Sequence, residues 1–596
     1  MYWGLNEVKK QSLLRNKAFI IAIPILLVSV IVVIALLRSN SSNGDDLSEV
    51  ASDLVMKDEE NSSSEKDSDG KDSDGEDSDV RDSDGEDIDG KDSNGKNIDE
   101  KEENNNLKGE SKVDLVINVE PNKASTFNGG RFEGWGTSLC WWANRIGYSD
   151  VLAEKAATLF YDQEQGLGLN IGRYNIGGGD DPSHNHILRT DSEVPGYLYW
   201  NEESQSYEYD WNADFNQRNV VSKILEVNKD AIIEGFSNSP PYFMTYSGCS
   251  SGSSGGWGDN LRNDQFEEFA AYLADVALNL KEKHGISFQS ISPMNEPYTN
   301  YWHAHSNKQE GCHFSQGESQ SRILIELRKA LDSRGLDDII IAGTDETSID
   351  TQIDSFKALS PEAKEVVDRI DTHTYGGSNR AGLKALAENS GKNLWMSEVD
   401  GGHTTGENAG EMGAALWLAQ RIIDDMNGLM PSAWILWQVI DSHISKDGYN
   451  GNRDTGMVNI SGGYWGTAVA NHDTESIILT RKYYGFGQFT RYIRPGFTII
   501  ASSASSLAAY DRDNNRLVIV AINTSASEKV YDFDLSGFDS IGEKVEVIRT
   551  SGNSRTGENW KELDPLDTYE RGFLATLKEN SITTFILDKV IYSENN

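Results

Sequence analysis

The sequence predicts an α/β chain: a (β/α)8 barrel with an attached β-sandwich, preceded by a transmembrane helix and a disordered acidic linker. Three observations carry this prediction. Eight strand-like runs alternate with amphipathic stretches between about residues 126 and 490. Beyond residue 490 the helical periodicity stops, and short strands separated by turns take over. Ahead of residue 113, an apolar run gives way to a charged repeat with too few apolar residues to fold.

The apolar run is residues 18–37, AFIIAIPILLVSVIVVIALL. At helical rise its twenty residues span about 30 Å, enough to cross a bilayer core. Lys9, Lys10, Arg15 and Lys17 precede it, and Arg38 follows it closely. The positive-inside bias places residues 1–17 in the cytoplasm and everything after the span outside the cell, at the cell membrane. A cleaved signal peptide is the rival reading. It would have a shorter apolar core, about 7–15 residues, and a small-x-small cleavage site. The run here ends in Ala-Leu-Leu-Arg, which favours an uncleaved anchor.

Residues 38–112 read as a linker. From Lys66 to Glu100 they carry seven five-residue units: KDSDG, KDSDG, EDSDV, RDSDG, EDIDG, KDSNG and KNIDE. Residues 45–112 hold nine Lys/Arg against 26 Asp/Glu, so like charges extend the segment. The aspartates do not make a helix-loop-helix calcium site. That site needs carboxylates at positions 1, 3 and 5, and counting from Asp67 puts Lys71 at position 5. A net charge of −41 and the lack of a basic stripe exclude nucleic acid as a partner.

A strand over 113–119 opens the folded part. Within 113–125 it is expected to pair with the sandwich and join the two ends of the fold. The barrel, 126–490, takes strands over 132–139, 169–176, 231–237, 288–293, 338–343, 369–374, 394–399 and 433–439. Amphipathic stretches such as 265–282, 319–332 and 411–426 supply the helices between them. The sandwich, 491–596, takes strands over 517–523, 530–535, 544–549 and 582–587. The three cysteines, Cys140, Cys249 and Cys312, are too few for a disulfide scaffold and form no C-x-x-C pair. Cys249 follows the third strand and Cys312 the fourth. Neighbouring loops can bring two Cα atoms within the 4.4–6.8 Å of a disulfide, so this pair is the one expected to bond.

Catalytic groups in such a barrel lie where strands end, on the loops of the C-terminal face. Glu296 follows the fourth strand in Ser-Pro-Met-Asn-Glu-Pro, and Glu398 ends the seventh in Trp-Met-Ser-Glu. A carboxyl group on an apolar strand costs desolvation energy unless it is paired or used. Pro293 and Pro297 bracket Met-Asn-Glu and stiffen it. Strands four and seven lie across the barrel mouth from each other. Two carboxyl groups there can flank one glycosidic bond and cleave it with retention. The charge of Glu398 is expected to raise the pKa of Glu296 and keep it protonated as the acid. A pair of ordinary surface glutamates is the bland alternative.

Several stretches, taken in order along the strand ends, resemble glycoside hydrolase family 30. They are Gly134-Trp-Gly-Thr-Ser, Asn170-Ile-Gly-Arg-Tyr-Asn-Ile-Gly-Gly-Gly, Ser237-Asn-Ser-Pro-Pro-Tyr-Phe-Met, Met294-Asn-Glu-Pro, Asp371-Thr-His-Thr-Tyr, Trp395-Met-Ser-Glu and Trp437-Gln. The longer Glu133-Gly-Trp-Gly-Thr-Ser-Leu-Cys-Trp-Trp-Ala is most similar to the endo-β-1,6-galactanase branch of that family. The resemblance covers about residues 113–590. It implies a barrel with a β-sandwich, retention of configuration, and no metal or cofactor. It also implies Glu296 as acid/base, Glu398 as nucleophile and Asn295 as the partner of the sugar 2-hydroxyl.

Arg173, ending strand two, would orient Glu398 and keep it ionised, or serve as a structural ion pair. Trp142, Tyr375 and Trp437 would line the sugar site or pack in the core. His373 would donate a hydrogen bond behind the catalytic pair or be a satisfied structural histidine. Gly177-Gly-Gly lacks the Lys-Ser/Thr of a phosphate loop. The expected partner is a β-linked polysaccharide, with the β-1,6-galactan side chains of arabinogalactan foremost. The alternatives are β-xylanase, β-glucosidase or β-1,6-glucanase activity, or a carbohydrate-binding surface protein without catalysis.

Overall fold

A computed structural model describes residues 112–593, apart from 449–452 and 459–462. The apolar run 18–37 and the acidic repeat lie outside these residues. Among the described residues no helix is long and apolar enough to cross a membrane.

The first strand, β1 (Leu115–Ala124), precedes the barrel, as the sequence predicts. The barrel strands are β2 (Gly134–Ser138), β3 (Ile171–Asn175), β4 (Ile232–Phe236), β5 (Phe288–Ser292), β6 (Ile340–Ser348), β7 (Arg369–Gly376), β8 (Asn393–Val399) and β9 (Ala433–Leu436). All eight fall on predicted runs. They pair in parallel around a closed circle, with β9 returning to β2 through Ala433↔Gly134. They are buried on both faces, as parallel barrel strands are, but polar residues interrupt the apolar ones in β3, β5, β6 and β7. Helices such as Phe266–Asn279, Glu318–Ser333 and Met412–Gly428 cover the outside. Their apolar faces bury Phe269, Leu273, Leu327 and Ile422 in the main core.

The Gly-Trp-Gly run in β2 has a local cause. Gly134 sits at φ +136, and a Cβ there would lie 1.8 Å from the Asn170 side-chain oxygen. That Asn170 oxygen accepts from the Trp135 amide at 3.1 Å, and its Nδ2 donates to the Glu133 carbonyl at 2.8 Å. The asparagine therefore clips the start of β2 to the start of β3. Only glycine leaves room for the clip.

Unlike the apolar filling usual in such barrels, the interior is ionic from the start of β7 to the strand ends of the C-terminal face. Arg173, Glu234, Asp345, Arg369, Asp371 and His373 are all fully buried there. Arg369 pairs with Asp371 at 2.6 Å and also contacts Glu234. Buried charges persist only when paired and hydrogen-bonded, and this lattice gives each one a partner.

The sandwich contains β10 (Thr498–Ser502), β11 (Ser506–Asp511), β12 (Arg516–Asn523), β13 (Lys529–Asp534), β14 (Lys544–Ser551), β15 (Glu558–Asp567), β16 (Gly572–Leu577) and β17 (Ser581–Leu587). The strand order is β15-β14-β17-β12-β11-β10-β1-β13-β16. β1 serves both layers. Leu115–Asn118 run parallel to Tyr531–Asp534, and after a register shift the strand runs antiparallel to β10. Ile117, Ile519, Phe533, Phe573 and Phe585 fill the space between the layers. Barrel and sandwich are joined by Asn427, which donates to the Ser506 carbonyl at 2.8 Å, and by the Trp135 indole, which donates to the Ile493 carbonyl at 2.7 Å.

Two features depart from expectation. A four-stranded sheet, Ile440–Ser445, Asp454–Thr455, Ala468–Asn471 and Ser476–Leu479, follows the last barrel strand. The Cys249–Cys312 disulfide does not form: all three cysteines are free and buried. The two loops do meet, the Gly311 amide donating to the Ser250 carbonyl at 2.9 Å, but the thiols diverge. Cys312 points into the main core, whereas the Cys249 sulfur lies 3.2 Å from His186 Nε2 and 3.2 Å from Ser251 Oγ.

Candidate active site

At the C-terminal face, the ends of β5 and β8 bring Glu296 and Glu398 together. One oxygen of each lies within 4.8 Å of the other and of a His373 ring nitrogen. Both carboxyl groups are buried, Glu296 at 8% exposure and Glu398 at 4%. Glu296 sits in left-handed backbone at φ 47, a conformation rare outside glycine. Its amide donates to the Asp345 carbonyl at 2.8 Å, and the Trp302 indole donates to its carbonyl at 2.9 Å. These bonds hold the strained turn that aims the side chain across the barrel.

Each carboxylate has its own donors. Tyr301 donates to Glu296 Oε2 at 2.5 Å, and His373 Nδ1 lies 3.1 Å from Oε1. Arg173 Nη1 reaches Glu398 Oε2 at 3.3 Å, and Tyr375 donates to Oε1 at 3.0 Å. Arg173 is anchored from behind by Asp345 at 2.6 Å and Glu234 at 2.8 Å. His373 is sandwiched between acids: its Nε2 lies 3.2 Å from Asp345, and its Nδ1 lies 3.6 Å from Glu398.

The electrostatics follow from this wiring. Burial alone would lower the His373 pKa, but the charges of Glu398, Asp345 and Glu296 raise it well above the usual histidine range. His373 is therefore an imidazolium with both nitrogens donating. Burial pushes Glu398 up to about 7, against the pull of His373 and Arg173. Burial also raises Glu296, yet the hydrogen bonds of His373, Tyr301 and Thr347 outweigh it and leave Glu296 below the ordinary carboxylate value. The order is the reverse of the one expected from sequence. The donors on Glu296 outweigh its burial, so the proton is favoured on Glu398.

A pocket of about 250 Å3 opens over the pair, lined by Asn295, Glu296, Gln309, Thr347, Tyr375, Glu398, Trp437 and Trp465. The buried Asn295 side-chain oxygen has no partner among the described residues. An orphaned buried acceptor facing a pocket suits a ligand hydroxyl. Trp437 stands edge-on to Trp141, with ring centroids 5.2 Å apart.

Trp142, expected at the sugar site, lies elsewhere. It is fully buried against Phe160, its indole donates to the Ser138 carbonyl at 2.8 Å, and it does not line the pocket. The helix Trp142–Ile146 begins here, so consecutive tryptophans face opposite ways. The sequence reading missed Asp345, Tyr301 and Trp465. Asp345 lies in β6 just past the apolar run 340–343, and a charge at the end of an apolar run is the signal that marks Glu296 and Glu398. Tyr301 lies in a loop notable only for its aromatic content.

The fold agrees with comparisons to known proteins. Residues 115–363 match the family model described as O-Glycosyl hydrolase family 30. An endo-beta-1,6-galactanase from Hypocrea rufa is 30% identical over 504 residues, covering 81% of this chain and 96% of that one. An exo-beta-1,6-galactobiohydrolase from Bifidobacterium longum subsp. longum is 25% identical, over 74% of this chain and 37% of the longer relative. Among solved structures, the catalytic domain of a GH30 xylanase C from Talaromyces cellulolyticus superposes with a TM-score of 0.58 at 18% identity, covering 80% of this chain and 100% of that one. With a 30%-identical relative matched almost end to end and a buried glutamate pair at the mouth of its barrel, the chain belongs to O-glycosyl hydrolase family 30 and is a β-glycosidase.

Proposed function

We propose that the enzyme hydrolyses β-1,6-linked galactan by double displacement, with Glu398 as nucleophile and Glu296 as acid/base. The observation that carries the mechanism is the spacing of the pair. Retention needs carboxyl groups about 5–5.5 Å apart, whereas inversion leaves about 6.5–9.5 Å for a water. Oxygens within 4.8 Å of each other fit the first case. Glu398 attacks the anomeric carbon while Glu296 protonates the departing oxygen. Water, deprotonated by Glu296, then releases the sugar.

The reaction starts with Glu398 ionised and Glu296 protonated. His373 offers a route to that state. Its Nδ1 gives its proton to Glu296 at 3.1 Å and takes one from Glu398 at 3.6 Å, leaving the imidazolium unchanged. Asn295 accepts from the sugar 2-hydroxyl, Arg173 and Tyr375 hold Glu398, and Trp437 gives the ring an apolar wall.

Galactan is supported by the names of the two relatives. It is also supported by a pocket lined by no Lys or Arg, which suits a neutral glycan rather than one bearing uronic acids. The test uses arabinogalactan stripped of arabinose. The expected result is release of β-1,6-linked galactose or its oligomers, with the β-anomer formed first and turnover abolished in Glu398→Gln. Glu296→Ala should keep activity on substrates with good leaving groups, and azide should rescue it as a β-glycosyl azide. An α-anomer as first product overturns the mechanism. Cleavage of xylan or β-1,6-glucan without galactan overturns the specificity alone.

The same reading places the enzyme outside the cell on a single-pass anchor at 18–37, tethered by the acidic segment. The support is the length of the apolar run and its basic flank. Fractionation of a host making the full chain should find the activity in membranes and open to substrate added from outside. Soluble enzyme with a new N-terminus just after the run would identify a cleaved signal peptide instead.

A further inference from the structure

Away from the glutamate pair, three loops of the same barrel face converge on a cluster that glycoside hydrolysis does not use. His184 and His186 come from the loop after β3, Cys249 from the loop after β4 and His305 from the loop after β5. One ligand atom from each lies within 4.8 Å of every other. The three imidazoles pack against one another, with centroids 4.8 Å apart for His184–His305 and 5.3 Å for His186–His305. We propose that His184, His186, Cys249 and His305 bind one Zn2+, which fastens three neighbouring loops of the barrel's C-terminal face.

The ligands are already oriented as a metal site requires. His186 Nδ1 lies 2.6 Å from the Ser306 carbonyl, which holds the ring with Nε2 facing inward. Nε2 faces the Cys249 sulfur, 3.2 Å away, and Asp180 Oδ2, 2.7 Å away. Two electron-rich atoms at that nitrogen call for a cation, which a proton on Nε2 supplies without metal and Zn2+ supplies in its place. The backbone carbonyl behind His186 is the support that usually fixes the tautomer of a metal-bound histidine.

The sulfur is prepared in the same way. The His305 amide points at Cys249 Sγ at 3.3 Å and Ser251 Oγ lies 3.2 Å from it, both able to donate to a thiolate. His305 holds left-handed backbone at φ 60, the conformation that lets its amide and ring face the same sulfur.

The donor set selects the metal. Three imidazoles and one thiolate suit zinc, a tetrahedral ion that takes nitrogen and sulfur. With Zn–N about 2.0–2.1 Å and Zn–S about 2.3 Å, tetrahedral neighbours stand about 3.3–3.6 Å apart, so side-chain rotations close the shell. His305 is exposed, which leaves an entry path. Binding releases the Cys249 thiol proton to solvent. Asp180, also 3.2 Å from His184 Nδ1, balances the charge at the edge of the site.

The position gives the metal a role. The His305 loop carries Tyr301, which donates to Glu296, and Gln309, which lines the pocket. The His184 loop is tied to it by Ser192 Oγ donating to the Lys308 carbonyl at 2.7 Å. The zinc adds side-chain bonds to loops already joined by backbone hydrogen bonds such as Leu188–Asn307, Ala304–Ser253 and Gly311–Ser250.

The test is metal content and spectroscopy on the full chain. Protein made with zinc present, then desalted, should hold one Zn2+ per chain by mass spectrometry. Its Co2+ form should show a sulfur-to-cobalt charge-transfer band in the near ultraviolet. His305→Ala, an exposed change that leaves the core intact, and Cys249→Ser should each lose the stoichiometric metal, and Cys249→Ser should lose the band. Asp180→Asn should weaken binding about 10- to 100-fold. A chelator should lower the thermal midpoint of the parent and not of His305→Ala. Substoichiometric zinc in the parent, or a cobalt form without a sulfur band, would leave only an ion-paired histidine cluster and overturn the proposal. Full metal retention in both variants would place the ion elsewhere and overturn it equally.

Discussion

Glu398 and Glu296 titrate as one unit, and their inverted order sets the pH behaviour of the enzyme. Glu296 loses its proton below the usual carboxylate range, and Glu398 holds one up to about 7. Between those limits the pair carries a single proton, which sits mostly on Glu398. The arrangement that the proposed mechanism needs, with the proton on Glu296, is a minor tautomer of that state. The kcat/KM profile should therefore be a bell. Its acid limb lies below the ordinary carboxylate pKa, and its basic limb falls through about 7 as the last proton leaves.

Tyr375 tests this assignment, because it donates to the ionised form of Glu398 at 3.0 Å. Tyr375→Phe should move the basic limb up by about one pH unit, since a hydrogen bond to a charged group contributes roughly 1.5–3 kcal/mol and one unit is about 1.4 kcal/mol. It should also lower the plateau, because ionising Glu398 becomes harder. A lower plateau with an unmoved limb would mean that Tyr375 only packs.

At the scale of elements, the ends of barrel strands were legible because charge at the end of an apolar run is costly unless used. That reasoning found Glu296 and Glu398, and applied to β6 it would also have found Asp345. It has no purchase on Trp141 and Trp142, neighbours of the same type whose facing is decided by where a five-residue helix begins. It failed for Cys249 and Cys312 for a related reason. Loop adjacency is readable from strand order, but the direction of a side chain is not. The Gly134–Asn170 clip was hidden too, since its donor and acceptor lie 35 residues apart. Gly134→Ala tests it. The new Cβ would strike the Asn170 side-chain oxygen and force a conformation that L-residues resist. Backbone strain of this kind costs about 1–3 kcal/mol, so the urea midpoint should fall. An unchanged midpoint would show that Asn170 is free to move aside.

At the scale of the whole molecule, the catalytic barrel depends on a strand that precedes it and a sandwich that follows it. β1 lies between β10 and β13 and pairs with both. It also buries Ile117 and Val119 in the sandwich core. Without β1, two strands would present open edges, and the layer holding β13 and β16 would lose its backbone link to the rest. The sandwich in turn anchors the start of the barrel, since the Trp135 indole of β2 donates to Ile493, just ahead of β10. A chain beginning at residue 112 should therefore fold, stay soluble and keep the glycosidase activity of the full chain. A chain beginning at residue 126 keeps every barrel strand and both glutamates, yet should be insoluble or unfold at a markedly lower temperature. Thermal unfolding of the two, side by side, separates the alternatives. Equal midpoints would mean that β1 merely lies along the sandwich, and that the barrel is held by its own helices alone.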